Sequence, residues 1–203
     1  MAEQSEHELR PVGADTLADL ERLVRAIRAL ENAYSEASVP PGVAGEVAAT
    51  IEAQVAVLAR FAAPEVDRVA GRRPELEGFA QVLVPPLTYL ETSEAQIKAE
   101  VTCGPLYLGS GAALHGGVAP LLLDDVMGRL ANGNRLADPD ATSTIRTAYL
   151  HVNYRGLAPV GRTLQVRAWA ERTDGRKRWF AAEITLDGRV LVDAEAMIVQ
   201  PRH

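Results

Sequence analysis

The amino-acid sequence predicts an α+β fold, in which one buried helix packs against an antiparallel sheet. Three observations support this prediction. An apolar helix is expected near 118–132, segments with strand-like character lie before and after it, and Asp-Gly pairs separate the last of these segments. The 203 residues suffice for one sizeable domain with an extension.

The first part of the chain is predicted to form two helices. Thr16 is suited to cap the first, whose apolar residues recur at spacings of three and four. These residues are Leu17, Leu20, Leu23, Val24, Ile27, Leu30 and Tyr34. A Pro-Pro-Gly sequence at 40–42 ends this helix, and a second is expected from about Val43 to Ala62.

A change in composition marks the end of this helical part. Residues 64–78 are rich in Pro, Gly, Arg and Glu. We therefore divide the chain into an N-terminal helical extension at 1–76 and a main domain at 77–203. Nothing in the extension indicates chemistry, so we expect it to serve packing or interaction.

The main domain carries the strand pattern. The expected strands are 96–103, 143–154, 163–172, 178–186 and 189–199. Asp174-Gly175 and Asp187-Gly188 are expected to form type I′ hairpin turns, because glycine readily adopts the positive φ that these turns require.

Regular alternation along the strand at 143–154 predicts which side chains share a face. It places Thr147 on a more polar face, together with Ile145, Tyr149, His151 and Asn153. The opposite face would carry the apolar set Ala148, Leu150, Val152 and Tyr154.

Composition and charge exclude several functional classes. A net charge of −6 without a basic stripe argues against nucleic-acid binding. Cys103 is the single cysteine, and the histidines outside the central segment show no metal-ligand spacing, so we expect no metal and no cofactor. No apolar run reaches the ~18 residues of a membrane span, and the N-terminus lacks the apolar segment of a signal peptide. We expect a cytoplasmic protein.

The segment that carries chemistry is GSGAALHGGVAPLLLDDVMGRLAN, at 109–132. Pro120 is tolerated only in the first turn of a helix, so the helix should start at about Gly117 or Val118. The N–H groups of Gly116 and Gly117 then lack intrahelical partners. The positive end of this helix is suited to stabilise a developing oxyanion.

Asp124 lies one to two turns into this apolar helix. A carboxylate there costs on the order of several kcal/mol unless it is paired or hydrated, which indicates a function; a structural hydrogen-bond acceptor is the alternative. Gly128 shares its face and leaves room for a substrate or a second backbone. Asp125 lies about 100° further around the helix, so we expect it outside the same pocket, as a partly exposed or capping carboxylate.

Together these residues resemble the PaaI type of hotdog-fold acyl-CoA thioesterase. The signature of that family is His-Gly-Gly at the start of the central helix and an acidic residue nine positions after the histidine. Here these residues are His115, Gly116, Gly117 and Asp124. The segment TAYLHVNYRGLAPVG, at 147–161, looks like the next strand of the family, which makes Thr147 the residue that helps place the attacking water.

The resemblance, which covers roughly residues 77 to 200, implies a hotdog fold and hydrolysis of an acyl-CoA thioester. The Gly116 N–H would hold the thioester oxygen, and Asp124 would act as general base or nucleophile. His115 would be either a base or a residue that holds the turn before the helix. Family members build each site across a subunit interface, which implies a homodimer, often paired into a homotetramer.

Candidate substrate-binding residues complete the expected site. Gly117 at the helix start and Gly128 beside Asp124 are candidates for contact with the substrate. For the phosphates of CoA, the candidates are Arg155, Arg176, Lys177 and Arg178, for which solvated surface charge is the alternative. The type of acyl chain is not encoded in any pattern of the sequence.

One departure from the family keeps a second function open. Many relatives carry an asparagine where this chain has Gly109, so a non-catalytic hotdog protein that binds acyl-CoA is the alternative. A hotdog hydratase is disfavoured, because its Asp–His pair five residues apart is missing: Arg129 stands at that spacing from Asp124. The chain also lacks the G-x-S-x-G elbow of serine hydrolases and the third glycine of a dinucleotide-binding loop.

Overall fold

The computed structural model of the chain describes residues 14–64, 67–73, 75–133 and 145–201. Two helices come first, α1 (Ala14–Glu36) and α2 (Val43–Ala59). The main domain contains α3 (Val118–Asn132), two short 3-10 helices (Glu77–Ala80 and Pro105–Tyr107) and six strands. The strands are β1 (Thr88–Thr92), β2 (Gln96–Thr102), β3 (Arg146–Tyr154), β4 (Thr163–Asp174), β5 (Lys177–Leu186) and β6 (Arg189–Val199).

The six strands form one antiparallel sheet in the order β1-β2-β4-β5-β6-β3. Helix α3 packs across this sheet. Its apolar residues outnumber its polar ones, and most of them are buried. Leu122, Met127 and Phe180 are fully buried in the shared core. The predicted α+β layout, a central helix against a curled antiparallel sheet, is confirmed.

The predicted elements agree closely with the observed ones. Helix α3 spans the predicted residues, and each of the five expected strands is present within a few residues of its predicted ends. Strand β1 was not predicted, because it is a short edge strand with largely exposed residues and no apolar alternation. Helix α2 ends at Ala59, slightly before the predicted end.

The two hairpin turns differ from each other. Asp187 and Gly188 both have positive φ, 51° and 76°, as a type I′ turn requires, so that prediction is confirmed. At the other hairpin Asp174 still pairs with Lys177, and of the turn residues only Gly175 has positive φ. The type I′ prediction for Asp174-Gly175 is therefore wrong, because the two central residues are Gly175 and Arg176.

The predicted face of Thr147 is wrong, because β3 contains a β-bulge before Tyr149, whereas the alternation predicted from Tyr149 to Tyr154 is confirmed. Thr147 pairs with Ile198 and Tyr149 pairs with Met197, so Ala148 has no partner across the ladder. One extra residue reverses the alternation. Thr147 consequently lies on the same face as Leu150, Val152 and Tyr154, toward α3, rather than opposite them.

The N-terminal helices are attached to the domain to different degrees. Helix α1 contacts both 3-10 helices, and the side-chain oxygen of Asn32 accepts a hydrogen bond from the N–H of Leu106 at 3.3 Å. Helix α2 has no buried residue. Across the residues with described coordinates, no helix is long and apolar enough to cross a membrane. The domain boundary after residue 76 stays a prediction.

Candidate active site

The start of α3 agrees with the prediction. The helix begins at Val118, Gly117 occupies the N-cap position, and Pro120 lies in the first turn, where its missing N–H removes no helical hydrogen bond. The N–H of Gly117 donates to Nδ1 of His115 at 3.1 Å. His115 was expected to be either a base or a residue that holds the turn before the helix, and its contacts agree with the second role. These contacts also occupy the Gly117 N–H, which was expected to face the substrate.

Gly116 retains the properties expected of an oxyanion donor. It is exposed, and within the described part of the chain its N–H makes no hydrogen bond. Its carbonyl accepts a hydrogen bond from the hydroxyl of Tyr154 at the end of β3. This contact holds the turn through the Gly116 carbonyl and leaves the Gly116 N–H accessible.

Asp124 and Thr147 are brought together by the bulge in β3. The Thr147 hydroxyl donates a hydrogen bond to Oδ1 of Asp124 at 2.9 Å, and the carboxylate is half-buried. Among the described residues this is the one hydrogen bond that Asp124 receives from another side chain. One carboxylate oxygen is thus oriented, while the other is available to a water molecule or a substrate.

Asp124 opens onto a cavity of about 280 Å³ between α3, the start of β3 and the chain at 71–81. The lining residues are Gly71, Phe79, Gln81, Asp124, Asp125, Gly128, Arg129, Asn132, Ile145 and Thr147. A side chain added at Gly128 would meet no atom within 4 Å. The expected free space beside the carboxylate is therefore present.

Asp125 lines the same cavity, which corrects the expectation that it would lie elsewhere. Its position is explained by Arg129, one helical turn away, whose Nε and Nη2 donate to the two Asp125 oxygens at 2.6 and 3.1 Å. A step of about 100° around a helix does not separate two side chains when the cavity is this wide. Both Asp125 oxygens are therefore occupied by Arg129, whereas among the described side chains only Thr147 forms a hydrogen bond with Asp124, through one oxygen.

The third wall of the cavity was not predicted. Gly71 comes from the segment that the sequence marked as a boundary, and Phe79 and Gln81 follow directly after it, where no helical or strand periodicity exists. The Phe79 ring lies against Arg129, with its centroid 3.9 Å from the guanidinium carbon. Such a contact between an aromatic ring and a cation leaves no trace in the local sequence.

The candidate phosphate ligands do not form one group in a single chain. The N–H of Arg155 donates a hydrogen bond to the carbonyl of Leu191, whereas Lys177 pairs with Val199. Leu191 and Val199 are eight residues apart on β6, which corresponds to about 27 Å along the strand. Arg155 is paired with Asp193 at 2.6 Å, and this hydrogen bond holds the pKa of the Asp193 carboxyl below its usual value.

The other basic candidates lie at the turn between β4 and β5. The half-buried Arg178 donates to the carbonyl of Ala131 in the last turn of α3 at 2.5 Å, so it stabilises the helix end rather than facing outward. Arg176 and Lys177 are exposed. These two remain candidates for phosphate binding.

Gly109 is enforced by its surroundings. A side chain at this position would come within 2.8 Å of the backbone Cα of His115. The loop is closed by hydrogen bonds from the Gly109 N–H to Ala113 and from the His115 N–H to Tyr107, both 2.8 Å long. The asparagine that many relatives carry here therefore cannot be accommodated in this loop conformation.

No cluster of three or more His, Cys, Asp or Glu side chains suited to a metal ion occurs in the parts of the chain with described coordinates. The chemistry available at the cavity is that of the Asp124 carboxylate and the Thr147 hydroxyl.

Comparison with known proteins places the fold. No protein-family model matches the chain, and no curated protein sequence matches it. Among solved structures, it is similar to a crystal structure of a thioesterase superfamily protein, with 26% identity and a TM-score of 0.72. This similarity covers 89% of this chain and 94% of the other, so it includes part of the N-terminal helices.

Two further solved structures share the main fold. AziG of S. sahachiroi is 16% identical over 58% of this chain and 92% of its own, with a TM-score of 0.50. Zebrafish thioesterase superfamily member 2 is 14% identical over 57% of this chain and 81% of its own, with a TM-score of 0.50. At these identities the similarity concerns the fold alone.

Proposed function

Because the chain has the hotdog fold of the thioesterase superfamily, as its sequence indicated, we propose that it hydrolyses an acyl-CoA thioester to the free acid and CoA. The observation that carries this proposal is the hydrogen bond from Thr147 to Asp124 at the edge of an open cavity. It combines a half-buried carboxylate, a group that orients it and space for a substrate, as general-base or nucleophilic catalysis requires.

The separation of Gly116 and Asp124 supports a site shared between two subunits. Eight residues at 1.5 Å per residue place them about 12 Å apart along the helix axis. A water molecule activated by Asp124 must approach within about 3–3.5 Å of the carbonyl carbon, whose oxygen the Gly116 N–H would hold. This separation is long for one thioester and one water molecule to bridge, so a site that combines groups of two subunits fits it better. We therefore propose a homodimer in which each site takes Gly116 from one subunit and Asp124 from the other.

Two mechanisms fit this arrangement. As a general base, Asp124 takes a proton from water, the resulting hydroxide attacks the carbonyl carbon, and the Gly116 N–H stabilises the oxyanion. The C–S bond then breaks, and the CoA sulfur takes up a proton. As a nucleophile, Asp124 attacks the carbonyl carbon itself and expels the CoA thiolate, which takes up a proton. Water then hydrolyses the resulting anhydride to the free acid and restores the Asp124 carboxylate. In both, Thr147 holds the carboxylate in its reactive orientation.

Gly109 favours one second candidate, an acyl-CoA-binding protein without hydrolytic activity. The asparagine found in many relatives assists the oxyanion or the water, and the loop around Gly109 has no space for it. In that case the cavity would bind the acyl group, and Asp124 would serve as a hydrogen-bond acceptor.

A panel of short, long and aromatic acyl-CoAs, assayed by release of the CoA thiol, separates the two functions. We expect turnover of at least one thioester by the wild type, and its loss in Asp124→Asn without loss of folding. Glu195→Gln is the matched control, because Glu195 is an exposed carboxylate on β6 paired with His151 and lies outside the cavity. A folded wild type that binds acyl-CoA but hydrolyses none of the panel would support the binding protein.

A further inference from the structure

We infer, on the basis of the proposed function, that Phe79 limits the size of the acyl group that the Asp124 cavity accepts, and that Arg28 of α1 is the positioning residue that holds Phe79 in place. Helix α1 would then belong to the active site although it contributes no atom to the cavity lining.

Phe79 occupies an unusual backbone conformation. Gly78, Phe79 and Ala80 have φ values of 59°, 58° and 60°, in the left-handed region that side chains other than glycine disfavour. Two successive residues of this kind persist only when the surrounding structure holds them. The backbone contacts of Phe79 are hydrogen bonds from its N–H to Leu76 at 2.9 Å and to its carbonyl from Gly71 at 2.7 Å.

This conformation directs the Phe79 ring into the cavity wall. The ring lies 3.9 Å from the guanidinium carbon of Arg129, and Arg129 is itself held by both oxygens of Asp125. The aromatic ring, the guanidinium and the carboxylate therefore support one another on the same side of the cavity. An acyl chain that extends from Asp124 toward 71–81 would meet this wall.

Arg28 supports the turn from the other side. It is the one buried charged residue of the described chain, with 9% of its surface exposed. Its Nη2 donates to the carbonyl of Gln81, its Nη1 lies 3.9 Å from the Glu77 carboxylate, and a side chain at Gly78 would come within 2.8 Å of its Nη2. The guanidinium therefore lies directly against the 77–81 turn.

The burial of Arg28 is costly and incompletely compensated. Within the part of the chain that the structure describes, its Nε and Nη1 have no hydrogen-bond partner. A buried cation with unpaired donors is unfavourable for stability, so stability alone does not explain it. Positioning of the 77–81 turn does explain it, because the hydrogen bond to Gln81 connects α1 to the cavity wall two residues after Phe79.

The first test removes the Phe79 ring from the cavity wall. In Phe79→Ala we expect the ratio of kcat/KM for a bulky acyl-CoA to that for a short one to rise by about tenfold or more, since single methylene differences already change such ratios 10-fold to 200-fold. The matched control is Phe61→Ala, which removes an exposed ring outside the cavity and should leave the ratio unchanged. An unchanged ratio in Phe79→Ala would overturn the proposal.

The second test removes the contact between Arg28 and the 77–81 turn. Arg28→Met should shift the selectivity ratio in the same direction as Phe79→Ala, and Arg28→Lys should restore part of it. Arg25→Met is the control, because Arg25 is an exposed α1 arginine paired with Glu21. If Arg28 were purely structural, Arg28→Met would lower the melting temperature and the activity on all acyl-CoAs alike, and the ratio would not move.

A binding measurement separates this inference from the proposed function. Non-hydrolysable thioether analogues of a short and a bulky acyl-CoA, titrated by calorimetry, give the selectivity without turnover. A shift of the binding ratio in Phe79→Ala supports the inference even if no thioester is hydrolysed. Hydrolysis with unchanged ratios in both kcat/KM and binding supports the proposed function and refutes the inference.

Discussion

The hydroxyl of Thr147 lies 2.9 Å from Oδ1 of Asp124, so the first residues of β3 and the middle of α3 meet at the proposed catalytic carboxylate. Neither element alone holds the Asp124 carboxylate in this orientation. The helix supplies the carboxylate, and the bulged strand supplies the hydroxyl that orients it.

Replacement of Thr147 by valine keeps the shape of the side chain and removes the hydrogen bond. A hydrogen bond to a charged group contributes ~1.5–3 kcal/mol, so we expect kcat to fall about 10-fold to 100-fold in Thr147→Val. Thr147→Ser retains the hydroxyl and should keep most of the activity. Steady-state kinetics with thermal melts provide the measurement, and equal activities of the two variants would contradict the role of Thr147.

Mixed dimers test the shared site. Gly116→Pro removes the N–H proposed to hold the oxyanion, and Asp124→Asn removes the base, so each variant alone should be inactive. In a mixed dimer of the two, one of the two shared sites has both groups intact. After unfolding and refolding of an equal mixture, we expect activity of about a quarter of the wild type, because half of the dimers are mixed. If each chain formed its own site, no activity would return.

Cys103 should be unreactive toward thiol reagents in the native protein. It is fully buried, and burial raises the pKa of its thiol to about 11, so at pH 8 only about one thiol in a thousand would be ionised. We expect no reaction with a disulfide reagent until denaturant is added, followed by one thiol per chain. Rapid labelling without denaturant would contradict this burial. The same property makes thiol release a clean assay for CoA.

The ion pair of Arg155 and Asp193 should make a small pH-dependent contribution to stability. The hydrogen bond from Arg155 holds the pKa of Asp193 below its unfolded value, so the contribution is present above that unfolded value and is lost as pH falls through the folded pKa. Arg155→Met should lower the melting temperature slightly at pH 7, and by less at the lowest pH at which the protein stays folded, since exposed pairs contribute little. An equal loss at both pH values would show that packing, not charge, is responsible.

The parts of the site that lie on one regular element were predictable. The position of α3 follows from Pro120 and the apolar run, and Asp124 and Gly128 share a face because they are one helical turn apart. The role of Asp125 was missed, because an ion pair with Arg129 and a wide cavity depend on tertiary packing.

The parts that depend on irregular backbone were not predictable. Alternation assigned Thr147 to the wrong face, because an extra residue in a strand is invisible when each residue is assumed to alternate. Phe79 lies in a segment without periodicity, and its position depends on a left-handed backbone and on Arg28, 51 residues earlier in the chain. Long-range contacts of this kind leave no local pattern.

The bulge at Ala148 also determines how related sequences must be aligned with this one. In any chain whose corresponding strand is regular, one residue fewer would separate a threonine or serine at this site from the position of Tyr149. The gap then belongs opposite Ala148, and an ungapped alignment would set the hydroxyl of Thr147 against a side chain on the outer surface of the sheet. Surveys that identify active members by an aligned hydroxyl would misclassify such chains as inactive unless that gap is allowed.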